Sequence, residues 1–277
     1  AVPAGPLSAE GRALLDADRP RAAVEVLRRA VAAGEPSAED LLARAYLDSG
    51  SWQEAVDRLA PLVEQGEVRF AGRLGVALAG LGDAVRAEEA LRLAVESGEV
   101  AASNDLAILL RDRGRLAEAV ATLLPLADAG DGQAAANLVA LTLEEGDLAG
   151  AIAHAERYAD ERRPDTLVAL AEVRAAQGRA DEAETLHRRA CELGALRAHT
   201  AYGTFLLLVR LEPEEAEREY LEARRLREPG WAWTLGRFLL DQGRPDEARD
   251  HLEHAAARGD RAAEQALVEL DGEDEDD

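Results

Sequence analysis

Small and apolar residues recur along the chain at intervals of about 32 residues. Leucine follows alanine by four residues in several copies, as at Ala23 and Leu27 and at Ala55 and Leu59. This spacing places both residues on one face of a helix, so the pattern predicts eight copies of one helical unit. The alanines are separated by steps of 32 residues and one step of 33, at positions 23, 55, 87, 119, 151, 183, 216 and 248.

Two series of glycines mark the predicted turns. Glycine tolerates the left-handed conformation that ends a helix, so two turns per unit predict two helices of roughly 12 to 14 residues each. One series lies five residues before the alanines, at Gly50, Gly82, Gly114, Gly146, Gly178 and Gly243. The other lies eleven residues after them, at Gly34, Gly66, Gly98, Gly130, Gly194 and Gly259.

A small residue precedes the turn glycine of the first helix by seven positions. Small side chains let neighbouring helix backbones approach closely, which compensates for an aromatic content of only 4%. Abundant alanine and leucine favour helix, and we expect essentially no sheet. The small positions are Ala43, Gly75, Ala107, Ala171 and Gly236, with Val139 as the largest exception.

Units such as GSWQEAVDRLAPLVEQG and QGRPDEARDHLEHAAARG resemble the tetratricopeptide repeat family over about residues 7 to 262. The resemblance implies an all-α fold, a right-handed α-α superhelical solenoid of about eight helix-turn-helix repeats. Glycine followed by Asp, Glu or Ala, as in ADAGDGQAAANL, looks like the related Sel1-like repeats. We therefore expect an N-terminal extension at 1–6, a repeat domain at 7–270 with a partial closing helix, and a disordered acidic tail at 271–277.

Charge narrows the choice of partners. The chain has 32 basic residues, all of them Arg, against 55 acidic residues, for a net charge of -23. Such a field repels phosphates, which argues against nucleic acid and anionic membranes and favours a protein or peptide of basic or mixed charge. No apolar run is long enough to span a bilayer, so a cytoplasmic location is expected. The high Arg and Ala content without Lys suggests a bacterial source.

Candidate chemistry is sparse. Cys191 is the single cysteine, which excludes an intramolecular disulfide and a cysteine-based metal cluster. His251 and His254 share one helical face, where we expect surface positions rather than a zinc site. No phosphate-binding loop or nucleophile with a recognisable base is present. The sequence thus predicts no cofactor and no metal, and an enzyme is only a remote alternative.

By resemblance, the first helix of each unit forms the inner wall that binds extended peptides. Arginine and asparagine side chains on this wall suit a peptide backbone or a carboxylate. Nearer the C-terminal end, Trp231 is expected to pack between helices, while Trp233 and Arg237 present a cation and an aromatic surface. The candidate partner-binding residues are Arg44, Arg73, Asn104, Arg111, Asn137, Trp233 and Arg237.

The main functional hypothesis is a protein–protein interaction scaffold that binds a peptide or protein segment in a groove. A self-associating structural protein is the alternative, because repeat arrays expose apolar helix faces unless capped. The oligomeric state is open at this point. We also predict a distorted turn near residue 210, where VRLEPEEAE replaces the turn glycine and adds one residue.

Overall fold

The fold consists of antiparallel helices in chain order, as seen in a computed structural model that describes residues 5–276, with side chains described for residues 5–271. No β-strand occurs within these residues, only an isolated bridge between Asp160 and Arg163. The all-α prediction is therefore confirmed. In the first half of the chain the helices are α1 Pro6–Asp16, α2 Pro20–Ala32, α3 Ala38–Asp48, α4 Trp52–Glu64, a 3-10 helix Val68–Phe70, α5 Ala71–Leu81, α6 Ala84–Glu96, α7 Ala102–Asp112 and α8 Leu116–Asp128.

The second half continues the same alternation of a first and a second helix in each repeat. A π-helical turn, Leu206–Arg210, interrupts it after α13. The remaining helices are α9 Gly132–Glu144, α10 Leu148–Tyr158, α11 Asp165–Ala176, α12 Ala180–Leu193, α13 Ala198–Phe205, α14 Pro213–Leu226, α15 Trp231–Asp241, α16 Pro245–Ala256 and α17 Arg261–Asp276.

The chain divides into two compact units. Among the described residues, unit 1 comprises 5–105 and 256–260, and unit 2 comprises 106–255 and 261–276. Within unit 1, the short segment 256–260 packs on the turn that follows α3. There the Arg258 guanidinium pairs with Asp18, and the backbones of Gly50 and Gly259 approach so closely that a side chain on either glycine would collide with the other.

The predicted turn glycines all have positive φ. All twelve members of the two series have φ between 66° and 97°, and Gly230 has a φ of 79°. L-amino acids with a side chain are strained in this region, so glycine is the residue that ends these helices at least cost. The prediction of two turns per unit is confirmed.

The alanine series forms the centre of the core. All eight alanines, from Ala23 to Ala248, have an exposed fraction of 0%. The leucine one turn later packs against the small residue sixteen positions before it, which lies on the first helix of the same repeat. A Cβ atom added at Gly75 would lie 2.5 Å from Leu91 Cγ, and one added at Gly236 would lie 2.8 Å from Leu252 Cδ2. The small residue is thus required by close helix contact.

Val139 is larger than the small residue found at this position in other repeats, and a smaller residue on the second helix compensates for its size. In the repeat formed by α9 and α10, the position of the core leucine holds Ala155, and Val139 and Ala155 belong to one buried cluster. The larger residue on the first helix is therefore matched by a smaller one on the second. Total volume is kept while its distribution is reversed, as close packing requires.

The repeat formed by α13 and α14 departs furthest from the pattern. Tyr220 occupies the core leucine position, and a Cβ atom at Gly203 would lie 2.7 Å from its ring. The π-helical turn absorbs the extra residue, and Leu211 follows it in the left-handed conformation with a φ of 62°. The predicted distortion near residue 210 is therefore confirmed.

Two glutamates that follow a second helix, Glu35 and Glu228, cap the first helix of the same repeat. Glu35 accepts hydrogen bonds from the backbone N–H groups of Leu7 at 3.2 Å and Ser8 at 2.7 Å. Glu228 accepts from His199 N–H at 3.0 Å and from Thr200 N–H at 2.9 Å. These carboxylates satisfy N–H groups that have no partner inside the helix, and they complement its dipole.

The two predicted end segments lie partly beyond the described residues. Residues 1–4 of the predicted N-terminal extension fall outside them, and α1 begins at Pro6. The predicted closing helix is present as α17, which buries Ala263 and Ala266 and pairs Asp271 with Arg249 at 2.6 Å. The α17 backbone is helical to Asp276, so no helix end marks the predicted boundary at 271. The disorder of the acidic tail stays a prediction, since its side chains beyond Asp271 are outside the described residues.

Candidate binding groove in unit 2

A groove of about 430 Å³ opens along the first helices of three successive repeats in unit 2. Helices α9, α11 and α13 contribute its walls, and the π-helical turn contributes one end. Ala136, Asn137 and Ala140 of α9 and Val168 and Glu172 of α11 line this groove. First helices present the same positions in register because each repeat adds a helix pair in the same orientation.

Apolar side chains form one rim of the groove. Leu196, Leu208 and Val209 line it, and each is exposed, Leu208 by 68%. The π-helical turn directs Leu208 and Val209 outward where a regular helix end would have finished at a glycine. Adjacent exposed apolar side chains of this kind are typical of interaction surfaces.

Polar groups also line the groove. The Gln133 side-chain amide donates to Asn137 Oδ1 at 3.1 Å, and Asp165 Oδ1 accepts from the Leu196 backbone N–H at 2.7 Å. Donors and acceptors therefore stand beside an apolar rim, the mixture that small binding grooves use to orient a ligand.

Glu172 carries the most perturbed carboxylate of the groove. Its side chain is exposed to the groove, yet protein surrounds it on several sides. This partial removal from water raises the pKa of Glu172 to about 7, against the opposing attraction of Arg197. The carboxylate therefore changes charge near neutral pH.

His187 lies at the base of the groove in a core position. It takes the place of the core leucine in α12, is 1% exposed, and stacks on Tyr202 and Phe205 at ring-centroid distances of 5.8 and 5.1 Å. Its Nδ1 atom is one of three buried side-chain polar atoms without a hydrogen-bond partner within residues 5–271. Burial lowers the pKa of His187 to about 4, so the ring is neutral at physiological pH.

The predicted binding residues of unit 1 lie outside this groove. Arg44 pairs with Asp48 at 3.2 Å, and Arg73 pairs with Asp40, also at 3.2 Å. Asn104 is half-buried on α7. The arginine charges are thus directed at carboxylates of the same or the neighbouring repeat.

The remaining predicted residues belong to unit 2. Arg111 pairs with Asp112 at 2.8 Å, and Arg237 pairs with Asp241 at 3.0 Å. Trp233 is half-buried. Of the whole predicted set, Asn137 is the member that lines the groove of unit 2. A role in binding stays a prediction for all seven residues.

The expectation that His251 and His254 of α16 are surface positions is wrong. His251 and His254 are half-buried rather than free surface positions, because both rings pack on Trp231 at centroid distances of 5.7 and 5.1 Å. Trp231 itself is half-buried, whereas Phe70 at the equivalent position is fully buried. The histidine pair therefore covers an aromatic side chain that the helix interface does not fully enclose.

Comparison with known families agrees with the repeat geometry. Tetratricopeptide repeat models match residues 41–105 and also residues 4–29, 100–125, 164–189 and 231–254. The chain belongs to the tetratricopeptide repeat family. Proteins built from these repeats are generally scaffolds for protein–protein interaction. The finer likeness to Sel1-like repeats stays a prediction.

One solved structure shares this fold at low sequence identity, and two others align less closely. A chain of the APC/C hetero-tetramer Cut9–Hcn1 aligns with a TM-score of 0.50 and 13% identity over 94% of this chain and 55% of that one. This chain therefore spans about half the length of that protein. Pseudomonas aeruginosa PilF aligns at 0.48 and 18% over 74% and 96%, and a tetratricopeptide repeat protein of Parabacteroides merdae at 0.46 and 13% over 95% and 96%.

Two further findings concern sequence relatives and membranes. No curated protein sequence matches the chain. Among the described residues, none of the helices combines the length and the apolar character needed to cross a membrane.

Proposed function

We propose that the protein is an interaction scaffold whose unit 2 groove binds an extended peptide segment with apolar and basic side chains. The observation that carries the proposal is the composition of the groove, in which exposed apolar side chains lie together with amides and the Glu172 carboxylate. Apolar side chains of the peptide would cover Leu196, Leu208 and Val209. A basic side chain would approach Glu172, and the net charge of -23 would favour its arrival.

The packing of the groove walls lowers the entropic cost of binding a peptide. Buried clusters join α9 to α11 and α11 to α13, so the groove is largely formed before a partner arrives. Binding then immobilises mainly the peptide, which lowers the entropic cost of association. Tetratricopeptide repeats generally use such surfaces for protein partners, and this proposal assigns that activity to a particular groove.

A peptide selection tests the proposal directly. A displayed library of random peptides is selected on the full chain, and the enriched peptides are then measured by fluorescence anisotropy on the wild type, Leu208→Glu and Leu221→Glu. We expect Leu208→Glu to weaken binding at least tenfold, because it places a carboxylate on the apolar rim. Leu221 is 43% exposed on α14 and does not line the groove, so its variant is the matched control.

Charge gives a second readout. Enriched peptides should contain Arg or Lys, and their affinity should rise as the pH passes upward through 7, because Glu172 becomes ionised. Asp165 and Arg197 also line this part of the groove, so Glu172→Gln is needed to assign the effect. Enriched peptides that bind Leu208→Glu as tightly as wild type, or an absence of enrichment, would contradict the proposal.

The alternative of self-association is tested in the same preparation. Static light scattering over a range of protein concentrations reports the oligomeric state, which stays a prediction. A concentration-independent monomer that binds the selected peptides favours the scaffold.

A further inference from the structure

A mixed set of donor atoms gathers beside the irregular repeat of unit 2. Cys191 on α12, His199 on α13 and Glu219 on α14 bring Sγ, an imidazole nitrogen and a carboxylate oxygen within 4.8 Å of one another. All three side chains are half-buried. Three separate helices therefore supply three different ligand types at one point.

We propose that Cys191, His199 and Glu219 form a three-ligand site for a zinc-class divalent cation, with water at the fourth position. Thiolate sulfur, imidazole nitrogen and carboxylate oxygen are the ligand types that Zn²⁺ takes in proteins. Magnesium and calcium prefer oxygen ligands alone, so the sulfur and nitrogen donors favour zinc over both.

The distances between the three donor atoms allow these side chains to close around a metal ion. Tetrahedral bonds of roughly 2.0–2.3 Å place neighbouring donor atoms roughly 3.3–3.8 Å apart. Donors that are at most 4.8 Å apart need to approach by about 1 Å, which rotamer adjustments of half-buried side chains supply. His199 Nδ1 and Glu219 Oε2 are already in contact at 2.7 Å, so this pair opens slightly as the ion enters.

Neighbouring groups support the site from outside. Glu228, which is 6% exposed, binds the backbone N–H groups of His199 and Thr200 and thereby holds the start of the helix that carries His199. The carboxylates of Glu219 and Glu228 both act electrostatically on Cys191. A concentration of negative charge beside a thiol favours a dication.

The same surroundings argue against a reactive cysteine. Burial raises the pKa of Cys191 to about 12, and Glu219 and Glu228 contribute in the same direction. Without a cation the group is a thiol, which is a weak nucleophile. A cation bound at the site would displace the thiol proton, and such a site would revise the expectation from sequence that the chain holds no metal.

Cobalt binding tests the proposal, because Co²⁺ replaces Zn²⁺ in such sites and a thiolate ligand gives it an intense charge-transfer absorption. The full chain is stripped with a chelator, titrated with CoCl₂ at neutral pH, and then titrated with ZnCl₂. We expect one Co²⁺ per chain, the thiolate absorption, and loss of this absorption as Zn²⁺ displaces Co²⁺. A rise in melting temperature with added Zn²⁺ should accompany binding.

Variants locate the ion. Cys191→Ser should abolish the charge-transfer absorption, and Glu219→Gln should weaken Zn²⁺ binding at least tenfold while preserving a hydrogen bond to His199. His254→Gln is the matched control, because His251 and His254 are a histidine pair whose i, i+3 spacing would suit zinc. Circular dichroism of each variant verifies that it is folded.

Three outcomes would overturn the proposal. One is the absence of saturable Co²⁺ or Zn²⁺ binding in the micromolar range, which would leave His199 and Glu219 as a simple hydrogen-bonded pair. Another is cobalt binding without the thiolate absorption. The third is loss of binding in folded His254→Gln but not in Cys191→Ser, which would assign the ion to the histidine pair on Trp231.

Discussion

The helix pairs α5–α6 and α13–α14 solve the same packing problem with different side chains. In α5–α6, Gly75 receives Leu91, and the core needs little beyond alanine and leucine. In α13–α14, Gly203 receives the ring of Tyr220, and the π-helical turn accommodates one more residue. Both pairs keep a glycine where the backbones meet. The close contact between the two helices is therefore the same in both repeats, and only the size of the side chain packed against the glycine differs.

The two helix pairs also differ in the candidate sites that lie near them. The regular pair α5–α6 places its polar residues in short-range ion pairs such as Arg92 with Glu88 at 2.8 Å. Around the irregular pair lie the apolar groove rim and the cluster of Cys191, His199 and Glu219. Departures from a repeat are tolerated where neighbouring repeats already supply the stability. Candidate sites therefore concentrate where the pattern is broken.

The largest expected effect comes from removing the core leucine of the regular pair. Leu91→Ala leaves a cavity against Gly75, and we expect a loss of about 3 kcal/mol in the free energy of unfolding. Leu93→Ala, two residues away and 38% exposed, should cost less than about 0.5 kcal/mol. Urea unfolding measures both. Equal losses for the two variants would mean that the repeat core is not organised around the leucine position.

A volume exchange tests compensation in the pair α9–α10. Ala155→Leu alone should destabilise unit 2 by about 2 kcal/mol, because Val139 already fills the space. The double variant Val139→Ala and Ala155→Leu recreates the arrangement of Ala107 and Leu123, so it should recover at least half of that loss. Additive losses in the double variant would show that the two positions do not share volume.

Unit 1 should lose stability as the pH rises, because of Asp105. Burial, with a contribution from Glu99, raises the pKa of Asp105 from 3.8 to about 6. The folded state then binds the proton more tightly than the unfolded state, so the free energy of unfolding falls as the pH rises from 3.8 through 6. Asp105→Asn should flatten this dependence and add about 2 kcal/mol above pH 6, after allowance for partial exposure.

Hydrogen exchange over the same pH range localises the effect of Asp105. Protection of α5 and α6 amides should follow the change in the wild type and be insensitive to pH in Asp105→Asn. A variant with the same pH dependence as the wild type would exclude Asp105 as its source.

Unit 2 should show the opposite dependence through His187. Burial lowers the pKa of His187 from 6.5 to about 4, so the unfolded state takes up the proton first, and stability is lost as the pH falls from 6.5 through 4. His187→Leu restores the common core residue and removes an unpaired buried Nδ1 atom. We expect a gain of about 1 kcal/mol at neutral pH, together with loss of this acid sensitivity.

His154→Leu provides the control for His187→Leu. His154 also lies on a second helix and is half-buried, stacked on Tyr158. Thermal unfolding of both variants from neutral to acidic pH compares them. The assignment would fail if His187→Leu destabilised the protein at neutral pH or left its acid sensitivity intact.

The sequence predicts the placement of some candidate binding residues but not their ion-pair partners. The repeat pattern predicts a place on the inner wall for Asn137, and Asn137 lines the groove because first helices repeat in register. The same pattern predicts a place on this wall for Arg73, but Arg73 pairs with Asp40 on the neighbouring repeat. An ion pair depends on which carboxylate lies within reach, and spacing within one helix does not specify that.

The sequence by itself determined the architecture, since a 32-residue spacing of alanine, leucine and glycine specifies helices, turns and faces through local geometry that each repeat contains. It carries no signal for the Glu228 cap or for the meeting of Cys191, His199 and Glu219. These contacts join different helices, and no short motif links their members. Only the tertiary structure decided these contacts. They depend on how far apart the helices lie and how they are rotated, and both follow from the packing of side chains between the helices.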